Sequence, residues 1–173
     1  MKKKFLTLVI GLAIAVLLLF SLAACNPPEE DEPMGTQIPF EEVVFGGNFV
    51  GLNGDEEFSA IIRSQQELTV FFNGHNVNWA SDTPIWERFD GEFFESKALL
   101  LHFFWATSTD FTFSVEDVRI NNAELKLYLI GSYYGDTLND AVQFAATVVE
   151  VNKSDITDVT DFEVSVRYRK LAG

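Results

Sequence analysis

The first 25 residues constrain this chain most, because they join a basic start, an apolar run and the only cysteine. Lys2 to Lys4 are positive, Phe5 to Phe20 is apolar over 16 residues, and small residues then lead to Cys25. This order is typical of a secretory signal, which is removed from the mature protein. Removing residues 1–24 of the 173 leaves 149, which suits one ordinary domain. With a single cysteine, that domain has no internal disulfide and must be held together by packing.

The end of this segment, Leu22-Ala23-Ala24-Cys25, resembles the lipobox of bacterial lipoproteins. In that family the cysteine sulfur receives a diacylglyceryl group and the chain is cut just before the cysteine. The resemblance implies a signal peptide over residues 1–24, lipidation of Cys25 and attachment to the extracytoplasmic face of the cell membrane. An uncleaved transmembrane anchor is the alternative, but the apolar run is shorter than the roughly 20 residues that a spanning helix needs.

The charge of the chain restricts its partners. The formal net charge is −14, and loss of the three N-terminal lysines makes it −17. Nucleic-acid binding depends on clustered Lys and Arg, so we expect no nucleic-acid partner. Residues 26–39 are rich in proline and acidic side chains and poor in apolar ones, which predicts an extended tether from Cys25 to Pro39. Residues 40–173 then form one β-rich domain.

Short apolar runs separated by turn residues indicate an α+β domain, mainly antiparallel β. We expect a compact sandwich or half-barrel with one or two short helices. A capping box from Ser64 to Glu67 predicts a helix from Gln65 to about Phe72, and Asp90 can cap a single turn with Phe93 and Phe94. The predicted strands are Val43–Phe45, Asn48–Leu52, Phe58–Ile62, a central strand Ala98–Ala106 buried on both faces, Ala141–Val151 and Asp161–Arg169.

A hairpin is predicted between Val118 and Leu125. Asn121-Asn122 suits a two-residue turn, since Asn tolerates positive φ. That turn places Arg119 opposite Glu124 and Val118 opposite Leu125, with charged pairs on one face and apolar pairs on the other. The apolar positions change parity further upstream, which predicts a bulge at Glu116-Asp117.

The inventory of catalytic groups is small. His102 lies in the apolar run Ala98–Ala106, where a buried, hydrogen-bonded histidine is the common outcome. His75 lies in an Asn-rich loop predicted over residues 73–88, where we expect it to be solvated. The spacings that hold zinc, form a nucleophile elbow or cradle phosphate do not occur in the sequence. We therefore expect that the protein is not an enzyme and that it binds no cofactor. Catalysis would require His102 and a nearby carboxylate to converge in an open cleft.

Two kinds of ligand site remain as alternatives. Asp155, Asp158 and Asp161 recur every third residue, and a second group of oxygens spans Asn53 to Glu57, so calcium is one candidate ligand. Carbohydrate is the other, because aromatic side chains in or near loops can stack on sugars. The aromatic candidates are Trp79, Trp86, Tyr133 and Tyr134.

The order of apolar segments from about residue 58 to 168 resembles a family of small Firmicute-type lipoproteins. These are similar to the C-terminal domain of PrcB, a subunit of a bacterial surface protease complex. The resemblance implies a small β-rich domain, often of unknown function, and it carries over no catalytic residue. The best-known relative assists a protease and does not itself cleave anything. Ser108-Thr109-Asp110 departs from the family, which often has a Ser-Gly-Ser-like turn there. The residues that carry the resemblance are Phe89-Asp90, Phe93-Phe94-Glu95, Leu99-Leu100-Leu101, Ser108-Thr109, Leu125-Lys126-Leu127, Thr137 to Ala141 and Val149 to Lys153.

These observations predict a lipid-anchored, extracytoplasmic, non-catalytic module that binds or supports another envelope protein. A ligand-binding module for carbohydrate or calcium is the alternative.

Overall fold

The computed structural model describes residues 35–43, 57–75 and 88–172, which all lie in a compact unit spanning residues 34–173. Its described strands form two four-stranded sheets with antiparallel pairing except for one parallel pair. This confirms the α+β, mainly antiparallel prediction and favours the sandwich over the half-barrel. The elements are β1 (Thr36–Gln37), β2 (Phe40–Glu42), β3 (Phe58–Ile62), α1 (Gln65–His75), α2 (Phe93–Ser96), β4 (Lys97–Ala106), β5 (Thr112–Asn121), β6 (Glu124–Tyr133), β7 (Gln143–Asn152), a 3₁₀ turn (Lys153–Ile156) and β8 (Phe162–Lys170).

The first sheet has the strand order β1-β5-β6-β8 and the second has the order β2-β7-β4-β3. One apolar cluster lies between the sheets and includes Leu100, Val118 and Leu127. A second cluster lies on the far side of the second sheet, under the helices, and includes Leu68 and Phe94. The second sheet is therefore covered on both faces.

Strand β4 occupies the centre of that arrangement, as the sequence predicts. Leu100 and Phe104 belong to the cluster between the sheets, whereas Leu99, Leu101 and Phe103 belong to the cluster under the helices. An apolar run without alternation is the pattern of a strand buried on both faces.

Both helices begin with the predicted caps. The Glu67 amide donates to Ser64 Oγ at 3.1 Å, and the Arg63 amide donates to Glu67 Oε2 at 2.6 Å. The Phe93 amide donates to Asp90 Oδ1 at 3.0 Å and opens the single turn α2. Helix α1 runs to His75, three residues beyond the predicted end.

The predicted hairpin register is wrong. The turn consists of Asn122 and Ala123, and Ile120 therefore lies opposite Leu125. Arg119 lies opposite Lys126 instead of Glu124, and it binds Asp117 on its own strand at 2.6 Å. Asn122 alone among the described non-glycine residues has positive φ, at 58°, so the turn needs one left-handed residue where the prediction required two. The bulge is confirmed, because the register shifts between Val115 and Asp117.

The C-terminal boundary of the predicted tether is also wrong. Thr36 and Gln37 pair with β5, and Ile38 is 6% exposed within the core between the sheets. The folded domain therefore begins before Pro39. The backbones of Thr36 and Gln37 extend the first sheet, and the buried side chain of Ile38 holds this segment against the core. The predicted signal peptide (residues 1–24), Cys25 and the predicted strand Asn48–Leu52 lie outside the described residues, as does most of Val43–Phe45. Within the described ranges, no helix is long and apolar enough to cross a membrane.

Candidate functional site

The aromatic residues that the sequence singles out have different environments. Trp79 and Trp86 lie outside the described residues. Tyr133 is half-buried at the end of β6, with its ring centroid 5.5 Å from that of Phe111. Tyr134 follows directly and is 65% exposed. The structure thus leaves Tyr134 available to a ligand and uses Tyr133 to cover the core edge.

The aspartates that the sequence singles out for calcium serve local turns. Asp155 accepts a hydrogen bond from Asn152 Nδ2 at 2.9 Å, and Asp161 accepts one from the Phe162 amide at 2.7 Å. Asp158 is exposed. Across residues 35–43, 57–75 and 88–172, no three His, Cys, Asp or Glu side chains are grouped so that they could hold a metal ion. Asp is a common turn residue, because its side chain accepts hydrogen bonds from nearby backbone amides. The recurrence of Asp at every third position is therefore explained by the turns in this segment.

His102 is buried and hydrogen-bonded, as its position in the apolar run predicts. It is 1% exposed, and its Nδ1 lies 3.0 Å from Oγ of Ser59 on the neighbouring strand β3. Its ring stacks on Phe104 with a centroid separation of 4.8 Å. Glu57 places Oε1 3.7 Å from Nε2, and its side chain is 66% exposed.

This environment makes His102 a poor catalytic base. Burial lowers the pKa of His102 from 6.5 to about 4, so the ring is neutral near pH 7. A general base works best when its pKa is close to the operating pH. The ring is also enclosed by the two sheets, so the open cleft that catalysis would require is lacking around it. His102 instead connects β3 to β4 through Ser59.

Glu150 is the other described group with a shifted pKa. Its side chain is 13% exposed and lies beside Glu41 in the register between β2 and β7. Burial and the negative charge of Glu41 raise the pKa of Glu150, while the positive charges of Arg88 and Lys97 lower it. Arg88 Nη2 is 3.9 Å from the carboxylate. Like charges opposite each other disfavour a strand pair, and Arg88 and Lys97 partly offset this repulsion. The group was not singled out from the sequence.

One end of the sandwich concentrates the exposed apolar side chains. We define the loop end as residues 107–111 and 134–142, which connect β4 to β5 and β6 to β7. Five of the six exposed large apolar residues in the described ranges lie in it or on the strand ends beside it, and the sixth is Val70 on α1. The five are Trp105, Tyr134, Leu138, Val142 and Tyr168.

Asn139 joins the two loops of the loop end. Its amide nitrogen Nδ2 donates to Asp110 Oδ1 at 2.7 Å and to Thr109 Oγ1 at 2.8 Å, and its backbone N–H donates to Asp110 Oδ2 at 2.8 Å. Gln143 adds bonds from its Nε2 to the carbonyl oxygens of Ser108 and Phe111. Side-chain networks of this kind hold loops in one conformation. The sequence did not single out Asn139, because its partners lie about 30 residues away.

A shallow groove of about 670 Å³ runs between α1 and the end of β3. Ile61, Val70 and Phe71 give it an apolar wall, and Glu67 and His75 supply polar groups. Its volume falls within the range of small-molecule sites, roughly 300–1,000 Å³. Of these polar groups, Glu67 already accepts a hydrogen bond from the Arg63 amide.

No protein-family model, curated protein or solved structure matches this chain.

Proposed function

We propose that this protein is a lipid-anchored, extracytoplasmic, non-catalytic module that binds or supports another envelope protein through its loop end. The observation that carries the binding role is the concentration of exposed apolar side chains on the loop of residues 134–142 and on the strand ends beside it. Asn139 ties this loop to the loop of residues 107–111. Binding residues are often found on loops that a rigid scaffold positions. Exposed apolar residues that cluster mark interaction surfaces, whereas scattered ones do not.

The anchoring role rests on the lipobox-like Leu22-Ala23-Ala24-Cys25 and on where the fold begins. Strand β1 starts at Thr36, so residues 26–35 separate Cys25 from the domain. Ten residues reach at most about 33–36 Å when extended. Two acyl chains on Cys25 provide stable attachment, where one chain gives only marginal binding. The resemblance to the PrcB family supports an accessory role beside a protease.

The non-catalytic part of the proposal rests on His102. Its enclosure and its lowered pKa make His102 a poor general base, which supports this part of the proposal. Cys25, once lipidated, cannot act as a nucleophile.

Anchoring is tested by metabolic labelling with palmitate in cells that make the full chain. We expect label in the wild-type protein and none in Cys25→Ser, which should also be released or left unprocessed. A wild-type protein that takes up no label, or that is missing from the membrane fraction, would contradict anchoring.

Binding through the loop end is tested by cross-linking and pull-down from detergent-solubilised membranes. Val142→Glu places a charge on the loop end, where residue 142 is 59% exposed, and should abolish recovery of a reproducible partner. Val70→Glu makes the same change at a residue that is 64% exposed on α1, and it should leave recovery intact. Equal recovery with both variants, or no reproducible partner for the wild type, would count against the proposal.

A carbohydrate- or calcium-binding module is the alternative function. The exposed ring of Tyr134 favours the carbohydrate version, whereas the separate turns that use Asp155 and Asp161 disfavour the calcium version. Thermal unfolding across a panel of glycans, and with calcium against chelator, discriminates between them. A midpoint that rises with a glycan and falls in Tyr134→Ser would favour the alternative.

A further inference from the structure

Strand β8 is the longest edge strand in the described part of the fold. The edge strands β1, β2 and β3 span two, three and five residues, whereas β8 spans nine. Its one strand neighbour among the described residues is β6. Proteins usually keep such edges short or covered, because an open edge presents a row of unpaired backbone N–H and C=O groups. The edge of β8 is therefore able to accept another strand.

The side chains of β8 are also incompletely covered. Val164 and Val166 face the core between the sheets but are only partly buried. On the outer face, Glu163 has a side chain that is 81% exposed and lies 3.6 Å from Lys126 Nζ. The side chain of Arg169 is exposed and makes no hydrogen bond or ion pair within the described residues. The strand thus carries an acidic residue near its start and an unpaired basic residue near its end.

We propose that β8 pairs antiparallel with β8 of a second copy of this chain, around a two-fold axis at Val166. In an antiparallel pair around such an axis, residues on the solvent-facing side of one strand lie opposite solvent-facing residues of the other. Residues that face the core likewise lie opposite each other. Glu163 then lies opposite the partner's Arg169, and this pair occurs twice. Val164 lies opposite the partner's Tyr168, and Val166 lies opposite its own equivalent. All nine residues of Phe162–Lys170 overlap.

Neighbouring registers fit less well. An axis at Arg167 would place that guanidinium opposite its own equivalent, and like charges directly opposite destabilise a strand pair. An axis at Ser165 would place Glu163 opposite the partner's Arg167, which Glu116 already binds. The charges on an edge strand normally prevent edge-to-edge pairing. In the Val166 register they are complementary, which favours a second copy over an unrelated strand.

The expected association is weak and reversible. Nine residues a side is fewer than the roughly 20–30 that a stable interface uses. The test therefore traps the pair covalently instead of relying on a stable dimer in dilute solution. It does not depend on lipid anchoring or on the loop end, so its failure would leave the proposed function standing.

The first experiment introduces Val166→Cys into the full chain in membranes and follows disulfide formation under mild oxidation. Opposed Cα atoms in an antiparallel pair are about 4.5–5.5 Å apart, within the roughly 4.4–6.8 Å that a disulfide spans. We expect a cross-linked dimer of this chain, several-fold above the background. The parent chain, whose only cysteine is Cys25, sets that background. Val70→Cys is the matched control, since residue 70 is 64% exposed on α1, outside both β8 and the loop end.

The second experiment exchanges the charges in the Val166→Cys background. Glu163→Arg or Arg169→Glu alone should each reduce cross-linking about tenfold, because two opposed pairs per dimer become repulsive. The two changes together restore opposite charges and should restore cross-linking. Glu124→Arg makes a matched change at an exposed residue beside the hairpin turn and should have no effect.

Three outcomes would overturn the proposal. The first is cross-linking of Val166→Cys no greater than that of Val70→Cys. The second is cross-linking that is insensitive to the single charge changes or is not recovered in the double variant. The third is a cross-linked product whose mass contains a protein other than this chain.

Discussion

His102 shows how far a residue's neighbours decide its chemistry. Its burial follows from the apolar run around it and was predictable from the sequence. Its partner Ser59 is 43 residues away and is brought beside it by the register between β3 and β4. No local pattern encodes that register. The sequence therefore predicts an enclosed, hydrogen-bonded ring but not which side chain binds it or how far the pKa falls.

The lowered pKa of His102 predicts a pH-dependent stability. Below pH 6.5 the unfolded chain takes up a proton, whereas the folded chain does so only near pH 4. The free energy of unfolding should therefore have its full value above pH 6.5 and fall progressively to about pH 4, by up to about 3 kcal/mol. Denaturant titrations across this range measure the fall.

His102→Gln removes the titrating group and should flatten that pH dependence, at some cost in stability at neutral pH. If the free energy of unfolding of His102→Gln varies with pH as steeply as that of the wild type, His102 is not the group that causes the pH dependence.

Among the elements, the hairpin between β5 and β6 shows which local signals are reliable. The bulge was predictable because the parity of apolar residues along one strand records it. The turn was misplaced by one residue because Asn121 and Asn122 have the same local chemistry. The choice between them is made by the packing of Ile120 opposite Leu125 and of Val118 opposite Leu127 in the core. Elements set by neighbouring residues were predicted well, and registers set by distant contacts were not.

The left-handed backbone of Asn122 gives a prediction at the scale of this element. Asn122→Ala should lower the free energy of unfolding by about 1–2 kcal/mol, because a residue with Cβ is strained there. Asn122→Gly should be tolerated, since glycine adopts this conformation freely. Asn121→Ala, in the extended strand beside the turn, should have little effect. Chemical denaturation measures all three, and equal losses at both positions would place the turn where the sequence suggested.

At the scale of the whole molecule, the fold begins earlier than composition suggests. Residues 26–39 are rich in proline and acid, yet Thr36 and Gln37 extend one sheet and Ile38 fills the core between the two. Composition is an average over a segment, so it cannot show that one apolar side chain, that of Ile38, is buried in the core. That part of the core is built by distant residues, including Val118, whose carbonyl accepts the Ile38 amide at 2.9 Å.

This corrected boundary predicts that Ile38→Ala is strongly destabilising. Truncating a buried Ile leaves a cavity and costs about 2–5 kcal/mol. Val70→Ala, at a residue that is 64% exposed, should cost far less. Thermal or denaturant unfolding of the two variants compares them, and an equal effect would mean that the domain does not depend on residues before Pro39.

By itself the sequence determined the class of the domain, the buried central strand, the starts of both helices and the bulge. Each of these depends on side-chain periodicity or on hydrogen bonds within a few residues. The tertiary structure decided the parallel pairing of β6 with β8, the hairpin register, the partner of His102, the joining of the loops by Asn139 and the place of β8 at the edge of its sheet among the described strands. Those features depend on which distant segments pack together, because the free energy of burying apolar faces is gained only when the whole core forms.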